Sequence, residues 1–197
     1  NVKRDTHDNT SWDFAKFEVC HHKWMDVSED GYGVSMLNDC KYGHSALDGV
    51  MTLTLIKSGI EPNPTADQEE HTFTYALYPH AEGWRQANTV QEAMKLNQPL
   101  LSEEGGHAGC QNSFVWVDKS NVIIETVKMA EDDDGIIVRL YESENAKTKA
   151  HIFFGEKISS VESCNCLEEI KQTIETDGEG FEITVKPYEI QTYRVRF

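Results

Sequence analysis

Apolar and polar positions alternate at period two along most of the chain, the pattern of half-buried β-strands. Lys16 to Val27, KFEVCHHKWMDV, mixes β-branched and aromatic residues and predicts a strand running into an Asp30-Gly31 turn. GYGVSMLND (31–39) and GVMTLTLIKS (49–58) flank a turn-rich stretch and predict a hairpin. Within it Met51, Leu53 and Leu55 alternate with Thr52, Thr54 and Ile56. After a Pro-rich break at 61–68, HTFTYALYPH sets Phe73, Tyr75 and Leu77 against Thr72, Thr74 and Ala76, which predicts another strand. From Ser113 onward SFVWVD, NVIIETVKMA, GIIVRLYE, TKAHIFF, ISSVES and FEITVKPYEIQTYRVRF follow, with turns at 133–135 and 177–180.

One segment departs from the rhythm. Thr89-Val90-Gln91-Glu92 has the form of a capping box opening TVQEAMKLN. There Val90, Ala93, Met94 and Leu96 approximate a helical stripe that Pro99 ends. Many short strands with one short helix predict an all-β fold, an antiparallel β-sandwich, rather than a barrel in which helices alternate with strands. The Gly, Ser and Glu content of PLLSEEGGHAGCQN marks 99–112 as the best candidate boundary. Residues 1–197 are then one continuous double-sheet unit or two intimately packed subdomains. The polar opening, NVKRDTHDNTSW, has no periodic apolar face and reads as a position inside a longer protein.

Four Trp, seven Tyr and eight Phe give the chain the material of a folded core. Thirty-four acids against 18 bases leave a net charge of -16, which repels phosphate backbones and anionic lipid and argues against nucleic-acid and membrane-surface partners. Five cysteines, Cys20, Cys40, Cys110, Cys164 and Cys166, form no CxxC pair; reduced thiols in a cytoplasm fit them best. Cys164 and Cys166 would share one face of a strand. The chain has no 18-residue apolar run and no signal-peptide pattern.

HExxH, GxSxG and P-loop signatures are absent from the sequence. His21 and His22 on a strand would point to opposite faces, poor geometry for a shared metal. Asp132, Asp133 and Asp134 precede a Gly and suit a hairpin turn better than a glycosidase acid and nucleophile. The segment that stands out is Leu37-Asn38-Asp39-Cys40-Lys41-Tyr42-Gly43. Asn38 and Asp39 can exchange hydrogen bonds with hydroxyls, Lys41 can donate, and Tyr42 offers a ring face to C–H edges. A plain hairpin turn also accounts for the Asn-Asp, but it has no use for the Lys-Tyr that follows. His22, Lys23 and Trp24 come second: a solvated strand edge explains Lys23 and a buried ring explains Trp24.

Trp12 to Ser58, with its runs WDFAKFEVCHHKWMDVSEDGYG and LNDCKYG, resembles the family 38 glycoside hydrolases, α-mannosidases of the cytosolic, vacuolar and bacterial type. The resemblance continues through ADQEEHTFTYALYPH (66–80) and ends in YEIQTYRVRF; residues 113–165 match in strand pattern only. It implies a galactose-mutarotase-like supersandwich and an enzyme that hydrolyses terminal α-linked mannose with retention. Its nucleophile and zinc would belong to an N-terminal catalytic domain, so this chain carries no catalytic residue and no metal ligand. The same resemblance implies that domain and mannosides as partners, a homo-oligomeric parent, a cytoplasmic location, and a place on the substrate rim for Asn38, Asp39, Lys41 and Tyr42.

Two functions from different classes are open. One is a noncatalytic, pocket-completing part of an α-mannosidase; the other is an independent carbohydrate-binding β-sandwich. A large exposed apolar patch would favour the first, and an exposed strip of aromatics on a sheet face the second.

Overall fold

A left-handed backbone at Lys23 (φ 67°) divides the long strand expected at Lys16–Val27 into β1 (Val19–Cys20) and β2 (Trp24–Glu29). The structure, a computed structural model, describes residues 1–102, 104–105 and 113–197. Cys110 and most of the segment read as a boundary lie outside the described residues. The chain forms two compact units, Val2–Glu103 and Glu104–Phe197 with Asn1.

In the first unit a four-residue helix, α1 (Ser11–Phe14), precedes β1; the Thr10 hydroxyl caps it by accepting from the Asp13 amide. The Asp30-Gly31 turn joins β2 to β3 (Tyr32–Asn38), with Gly31 supplying the positive φ (85°). The hairpin expected between 31–39 and 49–58 does not form. Instead β4 (Gly43–Leu47) pairs with β5 (Val50–Thr54) across Asp48-Gly49, and β3 pairs with β2 and β6 (Tyr75–Ala81). GHSAL escapes notice because Gly, His and Ser carry no apolar alternation. The two sheets run β2-β3-β6 and β1-β4-β5.

Helix α2 (Thr89–Asn97) lies against β3 and β2. The expected capping box is not its start. Asn88, with positive φ, is the N-cap and makes no side-chain capping bond, while Thr89 is buried with its hydroxyl 2.8 Å from the Ser35 hydroxyl. Because α2 covers that face, β6 turns Ala76, Tyr78 and His80 inward. Tyr75 and Leu77, the apolar positions of the alternation, point out, and Leu77 is 62% exposed. Gly33 sits beneath His80, where a Cβ would come within 2.3 Å of the ring.

The second unit is a two-sheet sandwich. Its strands are β7 (Val115–Val117), β8 (Val122–Met129), β9 (Ile136–Glu142), β10 (Thr148–Phe154), β11 (Ser160–Cys164), β12 (Ile170–Ile174), β13 (Gly180–Val185) and β14 (Ile190–Arg196). One sheet runs β13-β10-β7, the other β12-β11-β14-β9-β8, all antiparallel. Inward positions of both, among them Val138, Leu140, Ile152, Val161, Phe181, Val185 and Val195, make one core. Removing that much apolar surface from water is what holds the two sheets together.

β11 ends at Cys164, so the expected shared face of the cysteine pair does not exist. Asn165 accepts the amides of Leu167 and Glu169 and turns the chain, leaving Cys164 buried and Cys166 exposed. The aspartates of the β8–β9 turn are tied to the last strand: Arg194 reaches Asp132 at 2.7 Å and Arg196 reaches Asp134 at 2.8 Å. These arginines hold both carboxyls below their ordinary range as turn anchors.

Candidate functional site

Residues 39–42 join β3 to β4, and the loop is built from below. Asn38, the last residue of β3, is 0% exposed rather than at the loop surface. Its Oδ1 accepts the Lys41 amide at 2.9 Å and its Nδ2 donates to His21 Nε2 at 2.7 Å. Its carbonyl accepts from Asn97 Nδ2 at 3.0 Å, and the same Asn97 nitrogen donates to the Ala93 carbonyl. The Asn38 side chain thus ties the loop to the β1–β2 connection, and its main-chain carbonyl ties both to the end of α2.

The Lys41 bond fixes which end of the Asn38 amide is oxygen, so His21 Nε2 must be an acceptor and the neutral ring carries its proton on Nδ1. Burial pushes His21 down to about 4, with the neighbouring His44 adding to the effect; the two rings meet edge-on at 4.4 Å. His44 is lowered too, by burial above all. Both imidazoles are neutral spacers beneath the loop at neutral pH.

Above this base, Asp39 accepts the Thr74 amide at 2.9 Å and donates its own amide to the Thr74 carbonyl. The Cys40 thiol first, then the Thr74 amide, hold the Asp39 carboxyl below the usual carboxylate range, and Asp39 in turn pushes the Cys40 thiol up. A thiol kept protonated is a poor nucleophile. Lys41 Nζ stands 4.8 Å from the centre of the Phe73 ring. Tyr42, 44% exposed, packs on His22 with ring centres 4.4 Å apart, and its carbonyl accepts the His21 amide. The loop therefore offers a carboxylate, an ammonium and two rings on a scaffold whose backbone is fixed. It offers no nucleophile beside a base.

Of the residues ranked second, His22 joins this surface. Lys23 is not on a solvated edge: it occupies the left-handed break and its Nζ lies 3.2 Å from Met94 Sδ. Trp24 is half-buried against Trp84 at 5.1 Å.

Beneath α2 lies a polar cluster that sequence patterning did not reveal. Asp26 Oδ1 accepts from Ser35 Oγ at 2.7 Å and lies 2.8 Å from His80 Nε2, while His80 Nδ1 faces the Glu82 carbonyl at 3.1 Å. It contains Ser, His and Asp but is not a nucleophilic triad. Serine and aspartate converge on the same ring nitrogen, whereas the triad needs them on opposite ones. The only available signal was polar residues at inward strand positions. Among the described residues no three His, Cys, Asp or Glu side chains gather as a metal site.

Comparison with known proteins agrees with the motifs. Residues 1–65 match the glycosyl hydrolases family 38 C-terminal domain, and residues 121–193 match the glycosyl hydrolases family 38 C-terminal beta sandwich domain. Alpha-mannosidase G of Dictyostelium discoideum is 37% identical over 202 residues, 98% of this chain and 19% of that protein. Human alpha-mannosidase 2C1 is 38% identical over 85% of this chain and 17% of its own length. The alpha-mannosidase of Saccharomyces cerevisiae is 35% identical over 100% of this chain and 20% of its length. The crystal structure of an alpha-mannosidase from Enterococcus faecalis superposes with a TM-score of 0.68 at 21% identity, over 90% of this chain and 21% of that one; at that identity the likeness is one of fold. This chain spans no more than a fifth of the length of these curated relatives. With two models of one family spread over most of its length and relatives that match it over nearly all of its residues, the chain belongs to the C-terminal region of the family 38 glycosyl hydrolases.

Proposed function

We propose that the chain is the C-terminal, pocket-completing part of an α-mannosidase that removes terminal α-linked mannose with retention of configuration. The observation that carries this reading is 37% identity to an α-mannosidase across 98% of the chain. The catalytic nucleophile and zinc belong to an N-terminal catalytic domain of the same enzyme, and the chain alone does not turn over substrate. Its first unit is the docking part. It has few buried apolar side chains and many exposed ones, including Trp12, Phe14, Phe17, Ile60 and Leu77, the surface expected of a unit that a larger body covers.

In this reading Asp39, Lys41 and Tyr42 stand at the substrate rim, and Asn38 is the positioning residue that holds them. Hydroxyls of a mannoside would meet a carboxylate acceptor, an ammonium donor and a ring face in a fixed arrangement. The enzyme is cytoplasmic and homo-oligomeric; the exposed thiols of Cys20, Cys40 and Cys166, none in a disulfide, support the first of these.

The test is hydrolysis of a chromogenic α-mannoside with added zinc, by the chain alone and by the chain supplied with the N-terminal catalytic portion. Turnover only in the combination is the expected result. Turnover by the chain alone would overturn the assignment of the catalytic groups.

A further inference from the structure

The outer face of the β13-β10-β7 sheet carries aromatic side chains where a solvated sheet normally carries polar ones. Register pairs Phe153 with Trp116, and their rings stack 5.4 Å apart and within 11° of parallel. His151, two residues along β10 on the same face, packs on Phe153 at 4.2 Å. Trp116 ends this stack and is 42% exposed. Beside it opens a cavity of about 180 Å³ lined by Trp116, Phe153, Gly155, Glu156, Lys157 and Glu179. The face depends on Gly180, which pairs with Phe153: any Cβ there would come within 2.6 Å of the His151 ring and 2.1 Å of the Ile152 carbonyl.

We propose that this face is a carbohydrate subsite, formed wholly within the second unit, that takes a neutral pyranoside on the Trp116–Phe153 stack. A pyranose ring presents one apolar C–H face and an edge of hydroxyls. An indole with its quadrupole-negative face open accepts the first. The second needs acceptors and a donor together, which the carboxylates of Glu156 and Glu179 and the ammonium of Lys157 supply. An anionic ligand would meet two carboxylates on a chain of net charge -16. An apolar protein partner would have to desolvate all three charged groups without pairing them. The subsite needs no residue of the 38–42 loop and no catalytic domain, so it stands or falls apart from the rim assignment.

The experiment is a titration of the 197-residue chain with methyl α-mannoside and with α-linked mannobiose, following the indole N–H resonances of its four tryptophans. The open-chain polyol mannitol serves as the control. Saturable movement of the Trp116 signal alone, at roughly millimolar sugar and absent with mannitol, is expected. Trp116→Ala should abolish the sugar-induced shifts at the Gly155 and Gly180 amides. Lys157→Ala, which leaves the ring stack untouched, should weaken binding about tenfold. Absence of a saturable Trp116 shift, an equal response to mannitol, or unchanged affinity in Trp116→Ala and Lys157→Ala would each overturn the proposal. Loss of the Trp116 response in a chain extended by its catalytic portion would show that protein covers the face, and would overturn it too.

Discussion

Replacing Asn38 by Ala is the sharpest perturbation of the first unit, because a turn residue of ordinary solvent exposure would tolerate it and a buried tie would not. The structure sets the size of the effect. The substitution removes two side-chain hydrogen bonds and strands the Lys41 amide and His21 Nε2 in a site that is 0% exposed. With each unsatisfied buried group costing about 1–3 kcal/mol, the loss of both partners is about 2–6 kcal/mol. Urea denaturation followed through the Trp24–Trp84 pair reports this unit separately from the sandwich. Lys41→Ala is the comparator: it loses one contact with Phe73, worth about 0.5–1 kcal/mol. Asn38→Asp adds a second readout, since it keeps the acceptor for Lys41 but faces His21 with an anion, so His21 should titrate above its value of about 4. If Asn38→Ala stays within about 0.5 kcal/mol of the parent and His21 titrates unchanged in Asn38→Asp, the claim that this residue positions the loop is wrong.

Other outcomes follow from burial and charge. Burial holds the folded His21 ring down to about 4 against an ordinary 6.5 in the unfolded chain, so the unfolded chain binds more protons between those values. Stability of the first unit should therefore be full above pH 6.5 and fall as pH drops toward 4, by roughly 2 kcal/mol for a ring only partly screened from solvent; His21→Gln should flatten that slope in an acid titration. Burial alone would raise the Glu142 carboxyl, but the Tyr188 and Glu144 amides and the Asn121 side chain outweigh it and hold it low. Glu142→Gln should then cost the sandwich about 2–3 kcal/mol in a urea melt at neutral pH, with a smaller difference below the ordinary Glu value. Ile152→Ala, at 0% exposure between the two sheets, should cost about 2–5 kcal/mol, whereas Leu53→Ala on half-buried β5 should cost about 1 kcal/mol. Equal losses in the two would mean that β5 is covered as fully as the core.

How legible each part was depends on what buries it. The sandwich strands could be read from alternation because their inward positions are filled by Val, Ile, Leu and Phe. NVIIETVKMA, GIIVRLYE and TKAHIFF became β8, β9 and β10 almost residue for residue. β12 was missed because IKQTI is an edge strand with four exposed residues out of five, and nothing in it alternates. In the first unit the pattern misled where the interior is polar. Ser35, Asn38, His21, His80 and Thr89 are buried there, while Tyr75 and Leu77 face outward. An alternation rule that places apolar residues inside inverts β6 and leaves Asn38 on the surface.

The same inversion would suit the docking role proposed for the first unit. Its inward face is specified by directed hydrogen bonds from Asn38, Ser35 and His80, which fix the loop and α2 in one arrangement. In the proposed enzyme its exposed apolar residues would be left for the catalytic domain, whereas the sandwich has a larger apolar core of its own. The two units should therefore respond differently to the catalytic portion of the enzyme. Adding it should raise the denaturation midpoint reported by Trp24 and Trp84, because binding to the folded unit alone stabilises it by mass action. The Ile152-centred core should melt at an unchanged midpoint. A shift of equal size in both would show that the exposed apolar side chains of the first unit are not the docking surface.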